Sequence, residues 1–254
     1  MILAPTLSLN TPARGYDADA TAFAAASGAT DVAALSAFVK GVKELGLWNS
    51  MVCWPLRSSQ NAGTGTTAYS LGGLGTFNGT LVNGPAWGTD GLTVDATNER
   101  ITTAFNYATS LVSLFAVIKP DSSASAAARF VSNDQPATSN GIAFDAFTAD
   151  QYRLLSFVVA SVGTRAANTR TVFGLGAGTS NTFWFQDGTR NATADANYNA
   201  STNTLCPIGA TATDTALGQY SFTMAIDGVA TTSSMLSAFY TLYKQTLGTG
   251  LGLP

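Results

Sequence analysis

The chain contains no histidine, and glutamate occurs at only two of its 254 positions, Glu44 and Glu99. Without imidazole there is no Ser-His or Cys-His nucleophile system and no His-based zinc site. Glycosidases on a β-sandwich place an acid and a nucleophilic carboxylate about 5 Å apart in one groove. The one close pair with a glutamate outside the helical leader, Asp95 and Glu99, is set around a turn without a third acidic neighbour. "GLGAG" at 174–178 and "GTGTT" at 63–67 have the glycines of phosphate loops but neither the lysine nor the helix start that a phosphate cradle needs. These absences give the expectation that the protein is not an enzyme and uses no cofactor or metal.

Charge is scarce as well. Only 11% of residues are charged, the formal net charge is -3, and the twelve Lys and Arg are scattered. No basic patch is available for nucleic acid. No apolar run approaches the ~20 residues of a membrane helix, and "MILAPTLSL" lacks a basic start and is broken at Pro5, so it does not read as a signal peptide. Cys53 and Cys206 lie far apart in apolar segments, "MVCWPL" and "TLCPIG", and are read as buried free thiols.

What remains is a chain with 46% hydrophobic residues and an organisation in three parts. Residues 1–46 are an irregular arm followed by a helical leader. Asp17 can cap "ADATAFAAAS", which Gly28 stops, and Thr30 or Asp31 can cap "VAALSAFVKGVKEL", with Gly46 at its end. In the second helix Leu35, Phe38, Val42 and Leu45 form one apolar stripe. From 47 to 230, short apolar or alternating runs recur between turn clusters: "MVCWPL", "GLTVDA", "LVSLFAVIK", "LLSFVVASV", "TVFGLG", "TFWFQDG", "LCPIGA" and "YSFTMAI". That series indicates an antiparallel sandwich, with Asp187-Gly188 as a two-residue hairpin turn. Residues 231–254 form a C-terminal helix, capped by Ser233 or Ser234 and ended by Gly248, whose large apolar residues must dock on the sandwich or on a neighbouring subunit.

The order of "WPL" at 54–56, "NGTLVNGPAW" at 78–87 and "GLTVDATNERI" at 91–101 resembles the leading part of laminin-G-like, concanavalin A-like jelly-roll domains. "LVSLFAVIKP" is similar to the next core strand, and "FWFQDGTRNAT" to a late hairpin. The leader "GYDADATAFAAASGATDVAALSAFVKGVKELGLWNSM" resembles the segment that precedes such a jelly roll in virion proteins of tailed bacteriophages. The resemblance implies a mainly β fold: a concanavalin A-like antiparallel jelly-roll β-sandwich with an N-terminal arm and helices and a C-terminal helix. It also implies a structural virion protein, a capsid decoration or tail-fibre subunit on the virion surface, made in the host cytoplasm, with other virion proteins as partners and a homo-oligomeric state. In this frame Asn83-Gly84 turns the chain, Trp87 packs at a sheet edge, and Leu92 and Val94 point opposite to Thr93 and Asp95. Asp95-Ala96 stands where calcium-binding relatives have Asp-Gly, so Asp95 is read as a turn cap and Glu99 as a partner of Arg100 or solvent.

Two function classes follow. In the first, Ile2, Leu3, Leu7 and Leu9 of the arm and Leu35, Phe38, Val42 and Leu45 of the leader anchor the subunit in an assembly. In the second, the sandwich recognises host-surface glycan, with Trp184 stacking on a sugar ring and Asn191, Tyr198 and Asn199 supplying polar contacts beside the Asp187-Gly188 hairpin. Trp184 lies between Phe183 and Phe185, a run that a strand buried on both faces would also contain.

Overall fold

The computed structural model describes residues 15–122, 128–133, 142–148, 151–156, 158–164, 166–177, 182–194, 203–211 and 214–254. The leader folds as its capping residues dictate. Helix α1 spans Ala18–Ser27; the Asp17 carboxylate accepts from the Asp19 and Ala20 N–H groups, and Gly28 closes it at φ 79°. Helix α2 spans Val32–Glu44, with Asp31 accepting from the Ala34 N–H and Gly46 in the left-handed region after it. A 3-10 turn over Trp48–Ser50 then leads into the sheets.

The main sheet is antiparallel and eight-stranded. Its centre is β7 (Val112–Pro120), flanked by β12 (Thr171–Ala177) on one side and β15 (Gly218–Asp227) on the other. Beyond β12 lie β13 (Thr182–Gln186) and β14 (Thr189–Ala194), joined by the Asp187-Gly188 hairpin, whose two residues have φ 49° and 89°. The far edge of β15 carries two partners end to end. β1 (Met51–Pro55) pairs with its Phe222–Ile226 half, and β5 (Gly91–Val94), followed by β4 (Ala86–Gly88), pairs with its Gly218–Tyr220 half. Gly91 has φ 146°, and a Cβ there would lie 2.2 Å from the Tyr220 carbonyl oxygen, so only glycine permits this approach.

The opposing layer combines two smaller sheets. One holds β2 (Thr67–Ala68), β3 (Gly79–Val82) and β6 (Arg100–Thr102); the other runs from β8 (Arg129–Ser132) through β9 (Ala143–Thr148) and β10 (Gln151–Ser156) to β11 (Val158–Thr164). Isolated bridges Ile101–Ile208 and Ser132–Cys206 lay the 206–208 segment between them. "LCPIGA" is thus a bridge between two sheets rather than a strand of its own. The run "LLSFVVASV" likewise differs from its single-strand expectation: it contains the end of β10 and most of β11, which pair antiparallel. Asn83-Gly84, at φ 63° and 94°, does not close a hairpin; it passes the chain from β3 in one layer to β4 in the other.

Both faces of the main sheet are covered. Val112, Leu114, Ala116 and Ile118 of β7 enter the cluster between the layers, with Trp54, Phe105 and Phe130, whereas Phe115 and Val117 enter a second cluster under the helices. This explains why the strand is one apolar run rather than an alternation. In β15 the register shifts between Tyr220 and Phe222. The bulge reverses the faces, so Tyr220 lies between the layers while Phe222, Met224 and Ile226 meet the helices.

The stripe on α2 is spent here. Leu35, Phe38 and Val42 are 0% exposed beneath their own sandwich, and Leu45 packs against the same cluster. The expectation that these four residues anchor a neighbouring subunit is therefore corrected, because the protein's own sandwich already buries Leu35, Phe38 and Val42 and half-buries Leu45. Helix α3 (Ser233–Gln245) docks beside α2, capped by Thr232 rather than Ser233 or Ser234. Its Phe239 ring meets Phe115 at 4.9 Å and Phe38 at 5.7 Å. Each such burial contributes roughly 1.5–3 kcal/mol. Ile2, Leu3, Leu7 and Leu9 lie outside the described residues. The result is an antiparallel, jelly-roll-like β-sandwich with helices from both chain ends on one outer face.

Candidate functional site

Trp184 sits in β13 and is 5% exposed, turned into the space between the layers. With Leu114, Ala116, Phe144, Phe173 and Leu175 it surrounds a void of about 10 Å³, which is barely room for one water. A sugar cannot stack there, so Trp184 as a glycan platform is corrected: β13 is buried on both faces, with Phe185 packed under the helices. Asn191 belongs to β14, and Tyr198 and Asn199 lie outside the described residues. Glu99 is buried and takes the capping role foreseen for Asp95, its carboxylate accepting from the N–H groups of Asp95 and Ala96 at 2.8 and 3.3 Å. Asn98 O, not Glu99, accepts from Arg100. Cys53 and Cys206 are buried and not joined in a disulfide, and burial pushes the Cys53 thiol well above its ordinary value.

A different place combines aromatic faces with free polar groups. An open groove of about 280 Å³ runs between α1, the 3-10 turn and residues 69–78, lined by Asp19, Phe23, Trp48, Tyr69, Thr76 and Asn78 among others. Trp48 and Tyr69 are half-buried, their inner edges against the helix-side cluster. The Cys53–Leu71 bridge brings the two aromatics together from separate parts of the chain.

The glycine-rich wall "SLGGLGTFN" at 70–78 is held along its length. The Gly73 N–H donates to Trp48 O at 2.9 Å, and the Leu74 N–H donates to Met51 O at 3.2 Å. A Cβ at Gly72 would lie 2.2 Å from the Met51 carbonyl oxygen, which makes glycine necessary at that point. At the far end the Ser70 N–H and hydroxyl donate to Asn78 Oδ1 at 2.9 and 3.3 Å, and the Phe77 N–H donates to Ser70 Oγ at 2.8 Å. The Asn78 amide nitrogen and the exposed Thr76 hydroxyl remain as open hydrogen-bonding groups at the groove.

The groove's rim is electrostatically closed on itself. Lys43 Nζ lies 2.9 Å from the Asp17 carboxylate and 2.6 Å from that of Asp19, and 5.1 Å from the Trp48 ring centre. The hydrogen bond with Asp19 leads the effects that raise the Lys43 ammonium above its usual value. For Asp17, burial pushes the carboxyl up, but hydrogen bonds from Lys43 and from the Asp19 and Ala20 N–H groups hold it below.

A second groove of about 250 Å³, near the ends of β5, β7 and β15, is lined by Thr93, Asp95, Lys119, Asp121, Asn168 and Gln219. It has no aromatic face. Among the described residues no group of three or more Cys, Asp or Glu could hold a metal ion, and no helix is long and apolar enough to cross a membrane.

No family model and no curated protein matches the chain. Solved structures do. The chain is similar to a Trypanosoma rangeli sialidase, with a TM-score of 0.57 and 14% identity over 86% of this chain and 40% of that one. It is also similar to a mutant of that sialidase displaying trans-sialidase activity, at 0.60 and 12% with the same coverage. The chain thus spans about two fifths of the length of these neighbours, and at such identity the likeness concerns the fold. It nevertheless corrects the expectation that the protein is not an enzyme. The fold occurs within chains named as sialidases. Missing histidine and missing paired carboxylates were therefore the wrong grounds for exclusion.

Proposed function

We propose that this protein is a glycan-binding β-sandwich whose binding site is the Trp48–Tyr69–Asn78 groove, carried as a surface subunit on a tailed-bacteriophage particle. The observation that supports the binding role is the groove itself. Two half-buried aromatic side chains offer apolar faces for a pyranose ring, and Asn78 and Thr76 offer hydrogen bonds to its hydroxyls, on a wall fixed by backbone hydrogen bonds. Stacking requires little side-chain reordering when the ring is already half-buried. The occurrence of the fold in chains named as sialidases agrees with a saccharide as the ligand class.

Display on a virion rests on the resemblance of the leader to phage virion proteins. With Leu35, Phe38 and Val42 used internally, attachment falls to the arm and its Ile2, Leu3, Leu7 and Leu9. In this reading homo-oligomers and other virion proteins are the partners.

Binding is tested by saturation-transfer NMR and calorimetry against a panel of mono- and disaccharides, with the full chain, Trp48→Ala and Trp184→Phe. Saturable binding that weakens at least tenfold in Trp48→Ala and persists in Trp184→Phe supports the groove. Binding unchanged by Trp48→Ala, or lost in a folded Trp184→Phe, places the site elsewhere.

A further inference from the structure

The groove's charge pattern says which class of sugar it takes. The described side chains that line it include one charged group, the Asp19 carboxylate at its rim. Among the described residues the cation at this rim is Lys43, and it is already paired. Its ammonium is held by Asp17 at 2.9 and 3.0 Å and by Asp19 at 2.6 Å, and it lies over Trp48. Two carboxylates against one ammonium leave this triad with one net negative charge.

Two further described arginines, Arg57 and Arg170, are occupied as well. Arg57 donates to the carbonyls of Thr89, Leu247 and Thr249 at 2.9–3.0 Å. Arg170 is 8% exposed and donates to Ser221 Oγ, to Gln219 Oε1 at 2.7 Å and to Asp90 O at 3.2 Å. A carboxylate entering the groove would be desolvated beside a negative rim with no free cation among the described groove residues to pair with.

We infer that the groove selects neutral sugars and rejects acidic ones, sialic acid included, even though the fold occurs in sialidases. The inference rests on the glycan-binding reading above. Its volume of about 280 Å³ stands at the lower edge of the roughly 300–1,000 Å³ typical of small-molecule sites. That suits a mono- or disaccharide end.

Matched pairs of probes test it on the full chain: lactose against 3′-sialyllactose, and glucose against glucuronate, at low salt. The expected result is saturable binding of at least one neutral member, with its acidic partner at least fivefold weaker. Asp17→Asn, which keeps the α1 cap and lies outside the groove lining, removes one of the two charges holding Lys43. It should narrow that gap at least twofold while leaving the neutral sugar's affinity unchanged. Equal or tighter binding of the acidic member overturns the selectivity but not the groove. A gap indifferent to Asp17→Asn also overturns the inference, by showing that the triad does not set it. Binding of neither pair, nor of any sugar in the wider panel, overturns the glycan reading itself.

Discussion

At the scale of single residues, Asp187 shows how a turn position carries an electrostatic cost. It occupies the first position of the hairpin at φ 49°, and its carboxylate accepts from the Val172 N–H at 2.8 Å. Burial pushes the carboxyl above its ordinary value of 3.8, against the hydrogen bonds from Val172 and Gln186. A raised carboxyl means that the folded state keeps its proton to higher pH than the unfolded chain. Stability is thus lost as pH rises from 3.8 through the folded value, and the loss persists at neutrality. Asparagine would keep an acceptor for Val172, suit the left-handed turn and remove the charge. Asp187→Asn is expected to raise the urea midpoint at pH 7, with the advantage vanishing below about pH 4. An advantage that is constant with pH would place the effect in turn geometry alone. This turn was legible in the sequence because Asp-Gly carries its own backbone preference. Trp48 was not, because its role depends on Tyr69 and Asn78, which long-range bridging brings to it. Trp184 misled for the converse reason: an aromatic beside a polar turn looks the same whether its strand has one buried face or two.

At the scale of elements, local signals again divide from tertiary ones. The cap Asp17 and the stops Gly28 and Gly46 were readable, and the second cap was narrowed to Thr30 or Asp31, of which the structure uses Asp31, since capping is a contact within a few residues. The division of "LLSFVVASV" between β10 and β11 was not, because an apolar run alone does not show where it folds back. At α3 the sequence offers four consecutive hydroxyl residues, Thr231, Thr232, Ser233 and Ser234, and the structure uses the second. The Thr232 Oγ1 accepts from the Met235 N–H at 3.2 Å. Thr232→Ala should therefore cost about 1 kcal/mol of unfolding free energy in denaturant titrations, and Thr232→Ser close to nothing. Ser234→Ala should be near neutral, because its hydroxyl meets only that of Thr232. A larger loss at Ser234 than at Thr232 would reassign the cap.

At the scale of the whole molecule, the leader is divided between two roles, and two truncations separate them. Residues from Asp17 onward are structural. Helices α1 and α2 cover Met51, Cys53, Phe115, Phe222, Met224 and Ile226 together with α3. A chain beginning at Leu47 would expose much of that face, well beyond the few hundred Å² that monomeric proteins tolerate. It should be insoluble or should bind hydrophobic dyes. A chain beginning at Tyr16 loses only one described contact of note, the Lys40 ammonium donating to Gly15 O at 2.9 Å on the surface. Such an exposed contact is worth little, so this chain should fold with a melting temperature within a few degrees of the full one. In the proposed function it should also keep the groove and its sugar affinity, since no described groove residue precedes Asp19. In the same proposal it should lose incorporation into particles, because Ile2, Leu3, Leu7 and Leu9 are there taken as the anchors. At roughly 1.5–3 kcal/mol for each large side chain buried, and repeated over a symmetric assembly, four such residues suffice to hold a subunit in place. The measurement is occupancy on purified particles by quantitative mass spectrometry, with the two chains expressed at equal levels. Full occupancy by the chain beginning at Tyr16 would move attachment off the arm and onto the folded surface. Loss of occupancy with sugar binding intact would separate anchoring from recognition on one chain.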